Sequence, residues 1–261
     1  MKLDPSLAAI VTGGASGLGE ATSRMLAAQG VRVALLDLNR DKGEAIAGEI
    51  GGVFAAVDVT DEQSVDDGLA LAREAHGIER ILVNCAGIVH GRRTVAKERD
   101  SGALRAHDLA SFRKVIEVNL VGTFNMIARS AAAMAGEAPL NEDGERGIII
   151  STSSVAATDG QIGQAAYAAS KAGVLGLTLP LARDLMGFGI RVMTIQPGIF
   201  WTPMFDQIAP DYRASLAASV PFPPRLGAPG EYADLVRFIC ENSYLNGESI
   251  RLDGAVRLAP K

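Results

Sequence analysis

The chain has 261 residues, 48% hydrophobic and 21% charged, which suits one α/β domain with a sizeable core and excludes a disordered protein. Its formal charge of −5 argues against a nucleic-acid surface, which needs a basic face. The two cysteines, Cys85 and Cys240, give no disulfide framework or zinc spacing. No stretch reaches the run of about eighteen apolar residues that a membrane span needs. A soluble, cytoplasmic protein without a metal site is expected.

The first strand is expected at Ala8–Thr12, followed by Thr12-Gly13-Gly14-Ala15-Ser16-Gly17-Leu18-Gly19 and a helix at Leu18–Gln29. A glycine cluster between a strand and a helix suits a nucleotide. Gly13 takes a turn, Gly17 lets the backbone approach a pyrophosphate, and Gly19 lets helix and strand pack closely. The phosphate then rests on the helix N-terminus, where free N–H groups favour an anion.

A second strand, Val31–Leu36, leads into Asp37 and Leu38. A carboxylate at Asp37 accepts hydrogen bonds from an adenosine ribose and repels a 2′-phosphate, which favours NAD over NADP. Arg40 lies close enough to blur that preference. The third strand, Val53–Val57, ends at Asp58 and Val59, with Asp58 placed for an adenine. Thr60-Asp61-Glu62-Gln63 reads as a capping box opening the helix Glu62–Ala75. The fourth strand, Ile81–Asn84, runs into Asn84-Cys85-Ala86-Gly87 at the same sheet edge. Cys85 reads as a small buried residue rather than a nucleophile.

A long helical pattern, Leu109–Met134, holds Asn119 in mid-helix, where asparagine costs some propensity. Strands at Gly147–Thr152, Arg191–Ile195 and Ser249–Leu252 and helices at Ala165–Met186 and Glu231–Glu241 complete the pattern. Alternating β and α units with continuously apolar strands predict a Rossmann-type, doubly wound parallel sheet of seven strands, helices on both faces, in a single domain over 1–261. Pro180 should kink its helix or remove a backbone hydrogen bond. Three segments break the rhythm: Gly91–Asp108, Gly136–Arg146 and Phe200–Leu226. All three are expected to gather at the carboxyl ends of the strands, the last as a substrate lid over about 200–226.

Tyr167 and Lys171 sit four residues apart, thirteen and seventeen after Ser154. On a helix that spacing stacks phenol and ammonium on one face, and the positive charge is expected to lower the phenol's pKa. A phenol so tuned can exchange a proton with a carbonyl oxygen. Ser153 rivals Ser154 as the hydroxyl that would help it.

In order and spacing, Thr12–Gly19, Asn84–Gly87, Asn119, Ser154, Tyr167-x-x-x-Lys171 and Pro197-Gly198 resemble the short-chain dehydrogenase/reductase family over nearly the whole chain. Cys85 departs from the family's usual second asparagine. Gly160–Tyr167, Leu177–Asp184, Val220–Pro223 and Leu245–Glu248 look like one branch, the type II 3-hydroxyacyl-CoA dehydrogenases, also known as 17β-hydroxysteroid dehydrogenase type 10 proteins. The resemblance implies an NAD-dependent oxidoreductase that interconverts short-chain 3-hydroxyacyl-CoA and 3-oxoacyl-CoA, and a homotetramer. Tyr167 is then the acid/base and Ser154 the donor to the substrate oxygen. Lys171 tunes Tyr167 and holds the nicotinamide ribose, and Asn119 holds a water leading from Lys171. Pro197, Gly198, Phe200 and Thr202 wall the nicotinamide. Gln161 and Gln164 are candidates for the substrate cleft. Arg92, Arg93, Lys97, Arg99 and Arg105 are candidates for coenzyme A phosphates, against the alternative of a solvated face. A hydroxysteroid or other secondary alcohol is the rival substrate, and a non-catalytic NAD-binding scaffold the rival class.

Overall fold

The computed structural model describes residues 1–98, 100–202 and 210–260, so Arg99 and residues 203–209 of the expected lid lie outside the described residues. Seven parallel strands form one sheet: β1 (Ala8–Thr12), β2 (Arg32–Asp37), β3 (Val53–Ala56), β4 (Ile81–Asn84), β7 (Gly147–Thr152), β8 (Ile190–Pro197) and β9 (Ser249–Leu252). Their spatial order is β3-β2-β1-β4-β7-β8-β9, so the order reverses between β1 and β4 and opens a crevice there. One hydrophobic cluster under the sheet holds Val11, Leu35 and Val83, and another above it holds Ile10, Leu36 and Leu82. This alternation is what a strand covered on both faces requires.

The helices are α1 (Gly17–Ala28), α2 (Arg40–Ile50), α3 (Glu62–His76), α4 (Leu109–Ile116), α5 (Gly122–Ala135), α6 (Ala165–Leu185), α7 (Pro210–Ala218) and α8 (Pro229–Glu241). Helix α2 starts at Arg40, and its two glycines and a buried stripe of only Gly43, Ile46 and Ala47 leave a thin periodic signal. Helix α6 runs through Pro180 without ending.

Four expectations need correction. The expected helix Leu109–Met134 is broken by a π-helical turn over Glu117–Val121, with Asn119 at its centre. Such turns concentrate at functional sites. The helix at Glu62 is capped by Asp61, whose carboxylate accepts from Ser64 N at 2.7 Å, while the Thr60 hydroxyl turns away to Asp58 at 2.7 Å. Asp61 wins because its carboxylate is a stronger acceptor at the positive end of the helix than a hydroxyl. The segment Gly136–Arg146 does not join the crevice. It follows a helix and precedes a strand, so in a parallel sheet it lies at the amino edge. There Arg80 ties down Ala138 O and Arg146 O at 2.7 and 2.6 Å. The segment Gly91–Asp108, expected to be irregular, folds into an exposed antiparallel hairpin of β5 (Val95–Lys97) and β6 (Leu104–Ala106).

Candidate active site

Where β1 meets α1, the backbone is packed against itself. Gly17 has φ of +52°, and a Cβ on Gly13 would lie 2.8 Å from Ala86 N. A Cβ on Gly19 would lie 2.1 Å from Gly13 O. Gly19 therefore serves a close contact between the helix and the glycine loop, rather than between helix and strand as expected. Ser16 precedes α1 and makes no side-chain cap, which leaves the first N–H groups of the helix for an anion. Asp37, ending β2, brings one carboxylate oxygen to Ala15 N at 3.1 Å and the other to Asn39 N at 2.9 Å. Arg40 pairs with Glu44 at 3.0 Å on the outside of α2, so it is engaged away from Asp37. Leu38 is exposed.

Around the rim, Asp58 accepts from Thr60 N at 2.9 Å. Val59 is buried, and its carbonyl accepts from Asn125 at 2.9 Å. Asn84 is buried beside Ser151, and its Oδ1 has no protein partner. The Cys85 side chain turns away from the crevice into the core beneath, where burial pushes its thiol up. Ala86 N bonds the Thr12 hydroxyl at 3.2 Å. Gly198 donates to Leu252 O at 2.9 Å. Phe200 is a core residue rather than an open wall: it is 6% exposed and its ring lies against Gly227. Thr202 is half-buried near the end of the described stretch.

Beyond the end of β7, Ser154 opens a short 3₁₀ turn, Val155–Ala157, and its Oγ accepts from Ala156 N at 3.1 Å. Its own proton therefore remains available, and Ser154 is the side chain that holds the pKa of the Tyr167 phenol down. Ser153 is not the rival it was in sequence, because its hydroxyl donates to Lys171 O at 2.7 Å and is buried. Tyr167 and Lys171 share one face of α6, with Lys171 Nζ 5.9 Å from the phenol ring centroid. Lys171 Nζ donates to Thr152 O at 2.8 Å. Burial lowers this ammonium to about 8. Burial also pushes the Tyr167 phenol up, only partly offset by Ser154. The direction is opposite to the one the spacing suggested, because burial disfavours the phenolate while the Lys171 ammonium is engaged by Thr152 O.

Asn119 is fully enclosed. Its Oδ1 accepts from Ile88 N at 2.8 Å, while Nδ2 donates to Ile88 O at 2.9 Å and Ser170 Oγ at 3.0 Å. A Cβ on Gly87 would lie 3.2 Å from Asn119 Oδ1 and 3.4 Å from Lys171 Nζ. The bare glycine thus lets these two groups converge at the crevice. The Asn119 side chain is committed to holding this corner, so a water there would need its main chain.

Glycine loop, open helix end, the Asp37 carboxylate beside the loop and a bare Gly87 fit a dinucleotide spanning the strand-order reversal. The short chain dehydrogenase family model matches residues 7–213. The chain belongs to that family. Its members are oxidoreductases that use a nicotinamide cofactor, and this short-chain dehydrogenase is one of them. It is 52% identical over 256 residues to 3-hydroxyacyl-CoA dehydrogenase type-2 of Bos taurus, covering 97% of this chain and 96% of that one. The Homo sapiens protein of the same name is 51% identical with the same coverage. A crystal structure of 3-hydroxyacyl-CoA dehydrogenase type-2 from Mycobacterium avium superposes with a TM-score of 0.91 at 44% identity, covering 100% of both chains.

The residues expected at the substrate are placed less directly. Gln161 Nε2 donates to Ala259 O at 2.8 Å and its N to Gln164 Oε1 at 3.1 Å, while Ile162 N bonds Pro260 O at 3.0 Å. Both glutamines line a cleft of about 680 Å³ together with Arg93 and Thr94. In the hairpin segment, Arg92 pairs with Asp108 at 2.5 Å and Arg105 with Glu98 at 3.1 Å, so two of the five expected phosphate contacts are already neutralised. Sequence reasoning missed Thr152 and Tyr232. Thr152 was one hydroxyl in a polar run, and Tyr232 has the pattern of an ordinary core aromatic.

Proposed function

We propose that this short-chain dehydrogenase interconverts short-chain 3-hydroxyacyl-CoA and 3-oxoacyl-CoA with NAD as its cofactor. The observation that carries this reading is the convergence of Ser154, Tyr167 and Lys171 beside the dinucleotide crevice, in a chain about half identical to proteins named for that activity. NAD is favoured by Asp37 at the glycine loop and by Arg40 being paired elsewhere.

When bound, the nicotinamide accepts or supplies the hydride. In oxidation, Tyr167 Oη takes the proton of the substrate hydroxyl, and in reduction it returns one to the carbonyl oxygen. Ser154 Oγ donates to that same oxygen and stabilises the charge that develops on it. Lys171, fixed by Thr152 O, supplies positive charge next to the phenol and donors for ribose hydroxyls. Asn119 and Gly87 shape the space beside it. Pro197, Gly198 and Thr202 back the nicotinamide.

We place the enzyme in the cytoplasm as a homotetramer. No helix among the described residues is long and apolar enough to cross a membrane. Val121, Phe124 and Leu179 expose apolar side chains on the π turn, α5 and α6, which suits subunit contact and is tested by light scattering.

Oxidation of NADH by acetoacetyl-CoA, run beside NADPH and a simple acetoacetyl thioester, tests the reading. Fast turnover with NADH and the CoA ester is expected. Activity on a hydroxysteroid with none on acetoacetyl-CoA replaces the substrate, and no turnover with any alcohol or ketone leaves the scaffold reading.

A further inference from the structure

Directly beneath Lys171 lies a polar knot inside the apolar core. Thr152 closes β7, and its carbonyl is the acceptor that the structure gives the Lys171 ammonium among the described residues. The Thr152 hydroxyl lies 2.7 Å from Tyr232 Oη and donates to Cys85 Sγ at 3.5 Å. Tyr232 comes from α8 and is completely buried, with Cys85 Sγ 3.7 Å from its hydroxyl. The end of β4, the end of β7 and α8 therefore meet at one threonine, and that threonine carries the lysine.

The chemistry of the knot favours rigidity over reactivity. A buried phenol must find a partner, and among the described residues Thr152 supplies its short bond. Burial pushes both the Cys85 thiol and the Tyr232 phenol up, so the knot is neutral and adds no charge next to the lysine. Lysine is a flexible side chain whose ordering costs rotamer freedom. The peptide that carries this carbonyl is held by Ser153 N donating to Ile195 O at 2.8 Å and the threonine side chain by Tyr232, so the ammonium is offered one fixed place. The titratable groups facing Lys171 are Tyr167 on its own helix and Cys85 from the end of β4.

We propose that Thr152 and Tyr232 are positioning residues for the reaction: the Tyr232 phenol fixes the Thr152 hydroxyl, and the Thr152 carbonyl thereby holds Lys171 beside Tyr167. This rests on the reading of Lys171 and Tyr167 given above. Neither Thr152 nor Tyr232 touches the reacting atoms, and their effect passes entirely through the lysine.

The test uses the full-length enzyme with Tyr232→Phe, Thr152→Val and Thr152→Ser, and Tyr167→Phe as the control for the site itself. Turnover and KM with acetoacetyl-CoA, NADH affinity by fluorescence, and the melting temperature are measured for each. Losing one buried hydrogen bond predicts a fall in kcat of about fivefold in Tyr232→Phe and Thr152→Val. NADH affinity weakens alongside, the KM for the thioester is unchanged, and Thr152→Ser recovers the parent values. A purely structural role lowers the melting temperature and leaves kcat and NADH affinity of the folded enzyme where they were. That result, or a Thr152→Ser enzyme as impaired as Thr152→Val, overturns the proposal. Should Thr152→Val fail to fold, the Tyr232→Phe enzyme decides alone. Full turnover in Tyr167→Phe brings down the underlying reading instead, so the two failures are distinguishable.

Discussion

The two sides of the crevice are built differently. On the cofactor side, backbone presses on backbone: Gly19 against Gly13, Gly13 against Ala86, and Asp37 onto Ala15 N. On the proposed substrate side, the exposed hairpin segment, the loop carrying Gln161 and Gln164, and the C-terminal tail hold one another through a few hydrogen bonds. The first side tolerates no added atom, whereas the second can be rearranged at little cost. A rigid cofactor site and an adaptable substrate site let one fold serve many alcohols.

The sharpest way to break that contrast is Gly19→Val. Its Cβ would meet Gly13 O at 2.1 Å, so the glycine loop must move. Displacing packed backbone by about 3 kcal/mol predicts a loss of NADH affinity of about 100-fold, read by fluorescence titration on protein shown by circular dichroism to be folded. Unchanged affinity would mean the loop is not the rigid element described.

A second expectation concerns pH. Burial lowers Lys171 from 10.5 to about 8, so its charge fades as pH rises through that value. The rate of ketone reduction should fall about tenfold for each pH unit above it. Between about 8 and 10.5 the unfolded chain holds the extra proton, so this group makes the fold more stable as pH rises. A melting temperature that does not fall because of Lys171, with activity that does, separates lost chemistry from unfolding. A flat rate profile over that window contradicts the assignment.

Asp37→Ala gives the next effect. Removing the carboxylate beside Ala15 relieves repulsion of a 2′-phosphate, and the ratio of NADPH to NADH efficiency should rise by about tenfold. No change in that ratio would remove Asp37 from the cofactor's reading. Gln161→Ala marks the small end. It removes one bond to Ala259 O, and the KM for acetoacetyl-CoA should rise about threefold with NADH affinity unaffected. An effect as large as that of Gly19→Val would erase the difference between the two sides.

The same contrast explains what the sequence made legible. Strands such as Ala8–Thr12, Ile81–Asn84 and Gly147–Thr152 lie where the apolar runs put them, because burial on both faces leaves little choice. The glycine loop, Asp37, and the Tyr167 and Lys171 pair were readable because spacing alone sets their geometry. Which of Ser153 and Ser154 faces Tyr167 was open from the residues alone and was decided for Ser154 only by the family resemblance, since it turns on one hydroxyl being taken by Lys171 O. The direction of the Tyr167 shift was hidden as well, because burial is a property of the packed molecule. Placing Gly136–Arg146 at the crevice was avoidable: a loop between helix and strand belongs at the other sheet edge. Thr152 and Tyr232 are eighty residues apart and meet only in three dimensions.

The most direct test of the central claim is the turnover of Tyr167→Phe measured beside its NADH affinity. Removing the one hydroxyl that exchanges a proton with substrate predicts a loss of kcat of about 1,000-fold with NADH binding within about twofold of the parent enzyme. Turnover that survives the substitution contradicts the account.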